Sequence, residues 1–503
     1  MSSTAILPPF PARSYAFTPY VAAQNWIGGQ WVDAVSGATI PVENPRHAKV
    51  MSHVAMSGTA DVDAAVKVAQ AAFKTWRLVP IKERADVFYR LKQLMERDLD
   101  ELAWLASHEN GKTFAEAKAS VMKGIECVEF GASLPNIAAG EQLDVSRGVN
   151  CRIEHEPLGV VAGVTPFNFP IMVPLWMLPQ ALVGGNTFIL KPSEQVPLGA
   201  LKLAVLLKEA GLPDGVFNIV NGGVDAVTAL ADHPDIKAIA FVGSTKVAKL
   251  LYARGAQTGK SMLCLGGAKN HLIVVPDADV ALTAANVVAS YTGCAGQRCM
   301  AASVLLAVGD VHHVIDAIVE QSKKLQLGTE IGSIINASSV ERITGYIDDA
   351  EKRGAKVVVD GRGQTGDAPG DHGYWVGPTV IDGVSPDMPA ATIEIFGPVL
   401  SIVHVPNLDA AIAIENANAY GNAACIYTTS GAVARYVTER VEAGMVGVNV
   451  GVPVPREPFG FGGWNDSKFG SGNITGMDGY RFWTRPRKVT TKWQLQVDTN
   501  WMS

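Results

Sequence analysis

The sequence lacks the features that mark membrane, disulfide-bonded and nucleic-acid-binding proteins. No apolar run reaches the roughly 18 residues that suggest a membrane-spanning helix. The chain has only 6 cysteines and no CxxC pair, which argues against a disulfide framework or a zinc site and favours a reducing compartment. A net charge of −6 provides no basic field for nucleic acid or an acidic membrane. We therefore expect a cytoplasmic protein, without a bound metal, whose partner is a small molecule.

What the sequence does contain is typical of a large globular protein. Its 503 residues are 48% hydrophobic and 18% charged, which predicts more than one domain around well-formed cores. Residues 1–24 contain one arginine, no acidic residue and several prolines. We interpret this segment as a mobile N-terminal arm rather than an organelle transit peptide, because its positive charge is too low.

The spacing of apolar residues divides the rest of the chain into zones. Residues 60–130 repeat apolar positions every three or four residues, which predicts amphipathic helices. Residues 155–265 and 268–470 alternate short apolar strands with helical runs, which predicts two α/β lobes built on parallel sheets. Ligands bind such sheets beyond the carboxyl ends of the strands. The tail at 484–498 alternates like a strand and is expected to join another sheet, in the same chain or in a partner subunit.

Three loops that follow strands of the first lobe carry unusual polar residues. In TPFNFP, Asn168 lies between two phenylalanines, and it either caps the next helix or donates its amide to an oxyanion. In LKPSE, Lys191 and Glu194 form either an exposed pair or a grip on ribose hydroxyls, where a carboxylate favours NAD over NADP. In FVGST, Gly243 and Ser244 open a helix whose N–H groups could face a phosphate. The usual GxGxxG fingerprint of dinucleotide-binding folds is absent from this region.

The stretch YTGCAGQRCMAAS (291–303) holds two cysteines among small residues, and Cys299 directly follows Arg298. A structural cysteine prefers apolar neighbours, whereas a neighbouring cation lowers the pKa of a thiol and makes it a better nucleophile. The stretch alone does not decide between a packed cysteine and a reactive one.

Taken in order, the motifs TPFNFP, LKPSE, FVGST, GGAKNH, GQRC and EIFGPV resemble the aldehyde dehydrogenase superfamily over nearly the whole chain. The finer resemblance is to the CoA-acylating methylmalonate-semialdehyde dehydrogenases. It implies an α/β, aldehyde dehydrogenase-like fold in a dimer or tetramer. Its parts would be a Rossmann-type NAD-binding domain (25–130 and 153–263), an α/β catalytic domain (264–470) and a small β oligomerisation arm (131–152 and 480–498).

The resemblance also implies roles for particular residues. Cys299 takes the place of the nucleophile, which attacks the aldehyde and becomes a thioacyl group after hydride transfer to NAD. The oxyanion would lie between the Asn168 amide and the backbone N–H of Cys299. Glu394 matches the ligand of the nicotinamide ribose, and Phe167 and Phe396 are expected beside the cofactor. Cys294 has no role by this resemblance and is expected to be a small packed residue.

One departure concerns the acceptor of the acyl group. Most hydrolytic members of the superfamily carry a water-activating glutamate just before the LGG, whereas this chain has Cys264 there, and the CoA-acylating subgroup also lacks that glutamate. Without a base, water is a poor attacker and the thiol of coenzyme A competes well. The alternative is that another carboxylate activates water. Cys264 itself is there either for its size or to form a reversible disulfide with Cys299.

A second departure concerns the substrate. The subgroup holds a substrate carboxylate with two arginines, which correspond here to Arg298 and Lys123, and lysine cannot clamp a carboxylate in bidentate fashion. Arg456 is a further cation that either binds the acid group or forms a salt bridge. We expect NAD-dependent oxidation of malonate or methylmalonate semialdehyde with transfer of the acyl group to coenzyme A. The alternatives are a hydrolytic dehydrogenase that releases a free acid and an inactive structural homologue.

Overall fold

The computed structural model describes residues 13–366 and 372–493, and the structural statements below concern these residues. Its first sheet has the strand order β2-β1-β9-β8-β7-β10-β11-β21. These strands are β1 Asn25–Ile27, β2 Gln30–Val32, β7 Val160–Val164, β8 Thr187–Lys191, β9 Phe217–Ile219, β10 Ile236–Val242, β11 Ser261–Leu265 and β21 Lys468–Phe469. The strands from β9 to β11 are parallel, β1 and β21 run antiparallel to them, and β2 pairs antiparallel with β1.

The central strands of this sheet are covered on both faces. Every residue of β7 and β8 is buried, as parallel strands between two helical layers require. The helices associated with this lobe are α1 Thr59–Trp76, α2 Ile81–Arg97, α3 Leu99–Asn110, α4 Phe114–Ile137, α5 Met172–Val183, α6 Leu198–Glu209, α7 Val224–Asp232, α8 Thr245–Gln257 and α15 Gly476–Phe482. The predicted helical zone at 60–130 thus contains four helices, and Gly111, with φ of 87°, ends α3.

The second sheet has the order β14-β15-β16-β13-β12-β18-β19 and is parallel except for β14. Its strands are β12 Asn270–Val274, β13 Ala302–Val308, β14 Lys356–Val359, β15 Thr379–Asp382, β16 Val399–Val405, β18 Ala423–Tyr427 and β19 Met445–Val448. Its helices are α9 Val280–Thr292, α10 His312–Ser322, α11 Ala337–Lys352, α12 Pro389–Thr392, α13 Leu408–Ala417 and α14 Gly431–Thr438. The boundary expected at 263/264 falls inside β11, so the chain leaves the first sheet slightly later.

A third, antiparallel sheet has the order β22-β6-β5 and joins the tail to the middle of the chain. Its strands are β5 Glu141–Ser146, β6 Val149–Pro157 and β22 Thr484–Lys492, and every residue of β5 is exposed. The arm expected at 131–152 and 480–498 therefore differs at its edges, because α4 extends to Ile137 and β6 to Pro157. Residues 494–498 lie outside the described chain. Two two-stranded antiparallel sheets complete the fold, β3 Thr39–Asn44 with β4 Lys49–Ala55, and β17 Tyr420–Gly421 with β20 Trp464–Asn465.

The N-terminal segment differs from the mobile arm expected over residues 1–24. Tyr20 is buried, its backbone N–H donates to the Met51 carbonyl, and its hydroxyl lies 2.6 Å from Nδ1 of His108. Apolar burial and these hydrogen bonds hold the described part of the segment, from residue 13, against the first lobe. Residues 1–12 lie outside the described chain.

The described residues contain neither a membrane-spanning helix nor a metal-binding cluster. No helix there combines the length and apolar character needed to cross a membrane. No cluster of three or more His, Cys, Asp or Glu side chains there has a metal-binding arrangement.

Candidate active site

The predicted cofactor residues converge on one cleft at the carboxyl edge of the first sheet. Because β7, β8, β10 and β11 are parallel, the loops that follow them emerge on the same side. These loops and the EIFGPV segment line a cavity of about 570 Å³. It contains all the residues expected at the cofactor or in catalysis, Phe167, Asn168, Lys191, Glu194, Gly243, Ser244, Glu394, Phe396 and Cys299.

The polar groups of this cleft suit the parts of a dinucleotide. At the end of β8, Nζ of Lys191 lies 3.0 Å from Oε2 of Glu194, and the lysine side chain is almost fully buried. This burial argues against the alternative of an exposed surface pair. Ser244 precedes α8 in an extended conformation, and its side chain makes no capping hydrogen bond. The first N–H groups of α8 therefore lack that side-chain partner and suit a phosphate.

Glu394 lies partly buried in the same cleft. Its Oε1 accepts a hydrogen bond from the backbone N–H of Ala268 at 3.0 Å, and burial raises the pKa of this carboxyl to about 7. The close approach of the Glu394 carboxylate to the backbone requires a glycine at 267, because a Cβ there would collide with Oε2 of Glu394. The Phe396 and Phe167 rings pack edge to face at 5.8 Å, so Phe396 also contacts the TPFNFP loop.

The backbone of Cys299 is held by two side chains of the second lobe. Its carbonyl accepts hydrogen bonds from the side-chain amides of Asn270 at 2.8 Å and Asn422 at 2.9 Å. At Gly296 the preceding loop passes so close to the EIFGPV segment that a Cβ would lie 2.0 Å from the Gly397 carbonyl. The loop is thereby fixed against two elements distant in sequence, and sequence reasoning had singled out neither asparagine.

Arg298 lowers the pKa of the Cys299 thiol, as a neighbouring cation does, but it does not decide the ionisation of this thiol. Burial, followed by repulsion from Glu394, raises that pKa to about 12, and Arg298 is the weakest of the named influences. The reason is geometric, since Nη2 of Arg298 donates to the carbonyls of Ala289 and Ser290 at 2.6 and 2.9 Å. The guanidinium therefore makes its hydrogen bonds with the carbonyls at the end of α9 and not with the thiol.

Asn168 is buried beside Cys299 and does not cap the next helix. Helix α5 has Ile171 at its N-cap without any side-chain capping bond, which excludes the capping alternative. Nδ2 of Asn168 instead donates to the Gln297 carbonyl at 3.0 Å. An amide NH₂ has two donors, so one remains for an oxyanion at the thiol.

Two residues at the end of α3 position the Asn168 loop, and sequence reasoning missed both. Nζ of the buried Lys112 donates to the Asn168 carbonyl at 2.6 Å and lies 4.0 Å from the centre of the Phe169 ring. Nδ2 of Asn110 donates to the Phe167 carbonyl at 3.0 Å. The available signal was a lysine in HENGKT directly after a helix stop, a place where an exposed side chain is the ordinary expectation.

A second cavity, of about 430 Å³, reaches Cys299 from another side. Apolar side chains line most of it, including Phe169, Met172, Trp176 and Phe461. The three cations expected to bind the substrate, Arg298, Lys123 and Arg456, also line it. The structure therefore brings these three together around one pocket at the thiol.

The other two cysteines of interest are packed. Cys294 is buried, its backbone N–H donates to Oε1 of Glu116, and its Sγ lies 3.9 Å from Nζ of Lys112. Cys264 is fully buried in β11, opposite Phe241 in the neighbouring strand, and is not among the residues that line either cavity. Burial raises the pKa of Cys264 to about 12. Cys264 packs in a different hydrophobic cluster from the one that Cys299 contacts. This separation favours the alternative that a cysteine occupies position 264 for its size, not for a disulfide with Cys299.

Comparison with known proteins gives consistent matches over almost the entire chain. Residues 31–489 match the sequence model of the aldehyde dehydrogenase family. Malonate-semialdehyde dehydrogenase 2 of Geobacillus kaustophilus HTA426 is 46% identical over 93% of this chain and 98% of its own length. Malonate-semialdehyde dehydrogenase of Halalkalibacterium halodurans is 45% identical with the same coverage.

Solved structures agree with these sequence matches. Methylmalonate-semialdehyde dehydrogenase from Oceanimonas doudoroffii is 41% identical with a TM-score of 0.93, covering 95% of this chain and 99% of that one. A Sinorhizobium meliloti 1021 protein, assigned as a methylmalonate-semialdehyde dehydrogenase and solved in complex with NAD, is 40% identical with the same TM-score and coverage.

Proposed function

The chain belongs to the aldehyde dehydrogenase family, and on this premise we propose that it oxidises a small carboxylated aldehyde with NAD and transfers the acyl group to coenzyme A. Malonate semialdehyde and methylmalonate semialdehyde are the substrates we propose. One observation carries this proposal. Cys299 lies where two cavities meet, one lined by the residues that we propose bind NAD and the other by apolar side chains and three cations.

The residues present in the first cleft fit NAD. Lys191 and Glu194 would hold the adenosine ribose, and the carboxylate of Glu194 would repel the 2′-phosphate of NADP. Gly243 and Ser244, with the start of α8, would hold the pyrophosphate, and Glu394 the nicotinamide ribose. NAD, when bound, supplies the hydride acceptor.

We propose that Cys299 and Asn168 carry the acyl chemistry. Sγ of Cys299 attacks the aldehyde carbon, and the carbonyl oxygen becomes an oxyanion that accepts a hydrogen bond from Nδ2 of Asn168 and from the Cys299 backbone N–H. Burial favours the protonated thiol of Cys299, so its proton must pass to solvent in the cleft or to the Glu394 carboxylate, which lines the same cleft, before the attack. Loss of a hydride from the substrate carbon then leaves a thioacyl group on Cys299.

The absence of a glutamate at 264 affects the next step, the release of the acyl group from Cys299. Cys264 is buried away from both cavities, so position 264 supplies no base that could activate water. Water has a pKa near 15.7, whereas a thiol near 8.5 is about a few per cent thiolate at neutral pH. Coenzyme A therefore attacks the thioacyl group more readily, and Glu394 is the carboxyl group that a hydrolytic alternative would recruit.

Rapid mixing of the enzyme with NAD and malonate semialdehyde tests this function. We expect a burst of about one NADH per active site followed by slow turnover, because acyl release lacks a base. Coenzyme A should accelerate the slow phase and appear in an acyl-CoA product. A steady state that is indifferent to coenzyme A, with a free acid as product, would replace this function with the hydrolytic one.

We further propose a cytoplasmic homo-oligomer, a dimer or tetramer. All six cysteines are free in the structure, as expected in a reducing compartment. The exposed sheet of β5, β6 and β22 offers unpaired strand edges that a second copy could extend. Sedimentation velocity measurements would distinguish monomer, dimer and tetramer.

A further inference from the structure

The Lys123 ammonium in the substrate cavity is already held by two carboxylates. Its Nζ lies 2.8 Å from Oε2 of Glu457 and 3.0 Å from Oε2 of Glu126. Glu126 comes from the next turn of α4, whereas Glu457 reaches the lysine from the loop between β19 and β20. Burial alone would lower the pKa of Lys123, but these two hydrogen bonds raise it, so the side chain stays charged.

The Glu457 carboxylate is fixed at both of its oxygens. Oε2 accepts from Lys123, and Oε1 accepts from the buried thiol of Cys127 at 3.4 Å. Burial raises the pKa of Cys127 well above its ordinary value, which keeps the thiol protonated as a donor. Only 8% of the Glu457 side chain is exposed, so this is a built internal pair rather than a surface salt bridge.

Among the charged side chains that line this cavity or hold its cations, three are positive and three are negative. Arg456 also has a carboxylate neighbour, since its Nη1 lies 3.6 Å from Oε1 of Glu126. Three cations and one carboxylate line the cavity, and two more carboxylates hold its cations; the six residues are Lys123, Arg298, Arg456, Glu116, Glu126 and Glu457. A substrate carboxylate that approached Lys123 would be the third negative group around one ammonium.

The electrostatic surroundings of Arg298 differ from those of Lys123. Its Nη2 donates to backbone carbonyls, which carry no net charge, and its Nε is buried without a hydrogen-bond partner in the described chain. No carboxylate of the described residues lies within salt-bridge distance of it. Its positive charge is therefore available to a substrate anion, while that of Lys123 is offset.

We propose that Glu457 is a specificity-determining residue: by holding Lys123 it leaves recognition of the substrate anion to Arg298 and sets how strongly acidic aldehydes are preferred over neutral ones. This inference rests on the proposed function for the identity of the acidic substrate. The chemistry itself requires only that a carboxylate enters the cavity that reaches Cys299.

The variant Glu457→Gln tests the inference, because it removes the charge and keeps the shape and an acceptor for Lys123. The assay is propanal oxidation with NAD and coenzyme A, with malonate as a competitive inhibitor of the aldehyde. Removing one negative charge a few ångströms from the inhibitor should lower its inhibition constant about tenfold. The kcat/KM for malonate semialdehyde should rise by a similar factor relative to that for propanal.

Glu126→Gln is the matched control, since it removes the other carboxylate that binds Lys123. Its side chain is 42% exposed, so solvent screens its charge and the effect on malonate should be several-fold smaller. The double variant K123M/E457Q should lose the gained malonate affinity, because the freed ammonium is what produces the gain. Thermal unfolding of each variant checks that the fold is retained.

Two results would overturn the inference. One is an inhibition constant for malonate that stays the same in Glu457→Gln, and the other is an equal change for malonate and propanal, which would make the pair structural. An enzyme that oxidises propanal but no acidic aldehyde would refute the proposed function instead. The malonate comparison still decides the role of Glu457 in that case, since it needs only the neutral substrate.

Discussion

The ionisation of Cys299 in the ligand-free protein gives a direct test of the site geometry. Burial raises the pKa of this thiol to about 12 from an ordinary value of 9.0. A difference of about three pH units means that the thiolate is about 1000-fold scarcer at neutral pH than in an exposed cysteine. Since the thiolate is the species that reacts, the pH dependence of alkylation reports this pKa.

The assay is iodoacetamide labelling of the protein without NAD, with modification at residue 299 followed by mass spectrometry. The pKa is raised, so the thiol form dominates below it and the thiolate fraction should climb about tenfold per pH unit from pH 7 to pH 10. A short cysteine peptide, measured in parallel, should depart from this slope near pH 9 and level off about one pH unit higher. Cys299→Ala identifies the signal that belongs to this residue.

Glu394→Gln provides a second perturbation of the same thiol. Repulsion from the Glu394 carboxylate adds to burial in raising the pKa of Cys299. The variant should therefore react several-fold faster than the wild type at pH 8 to 9, where the carboxyl, with a pKa of about 7, is ionised. A wild-type profile that levels off at or below pH 8 would refute the reasoning, because it would show a thiolate stabilised by its surroundings.

Four further predictions concern Cys299 and the residues around the site. Cys299→Ala should abolish NADH formation while NAD binding, measured by fluorescence titration, is retained. Loss of activity in Cys294→Ala instead would show that Cys294 is the nucleophile. Asn168→Ala should lower kcat about 100-fold to 1000-fold, as loss of an oxyanion donor does elsewhere. Lys112→Met should lower kcat about tenfold through loss of a charge-assisted hydrogen bond to the Asn168 carbonyl, with the KM for NAD nearly unchanged. Mild peroxide should leave Cys264 unmodified, and a disulfide between Cys264 and Cys299 on mass spectra would contradict their separate packing.

The sequence alone located most of the candidate site because its residues follow strands. Lys191 ends β8, Gly243 follows β10 directly and Asn168 lies in the loop after β7, and parallel strands bring those ends to one edge of the sheet. Periodicity also predicted the helices at 60–130 and the terminal strand β22, since burial on one face leaves a regular pattern. The resemblance to aldehyde dehydrogenases is confirmed by the family match.

Only the tertiary structure decided the charge state and partners of these groups. The resemblance implied that Lys123 and Arg298 both bind the substrate anion, yet Glu457, 334 residues away, pairs with Lys123. Arg298 donates hydrogen bonds to the backbone carbonyls of Ala289 and Ser290 in α9. The thiol of Cys299 stands next to an arginine in sequence but is dominated by burial in three dimensions. Desolvation and ion pairing depend on every atom within a few ångströms, and most of those atoms belong to residues that are remote along the chain.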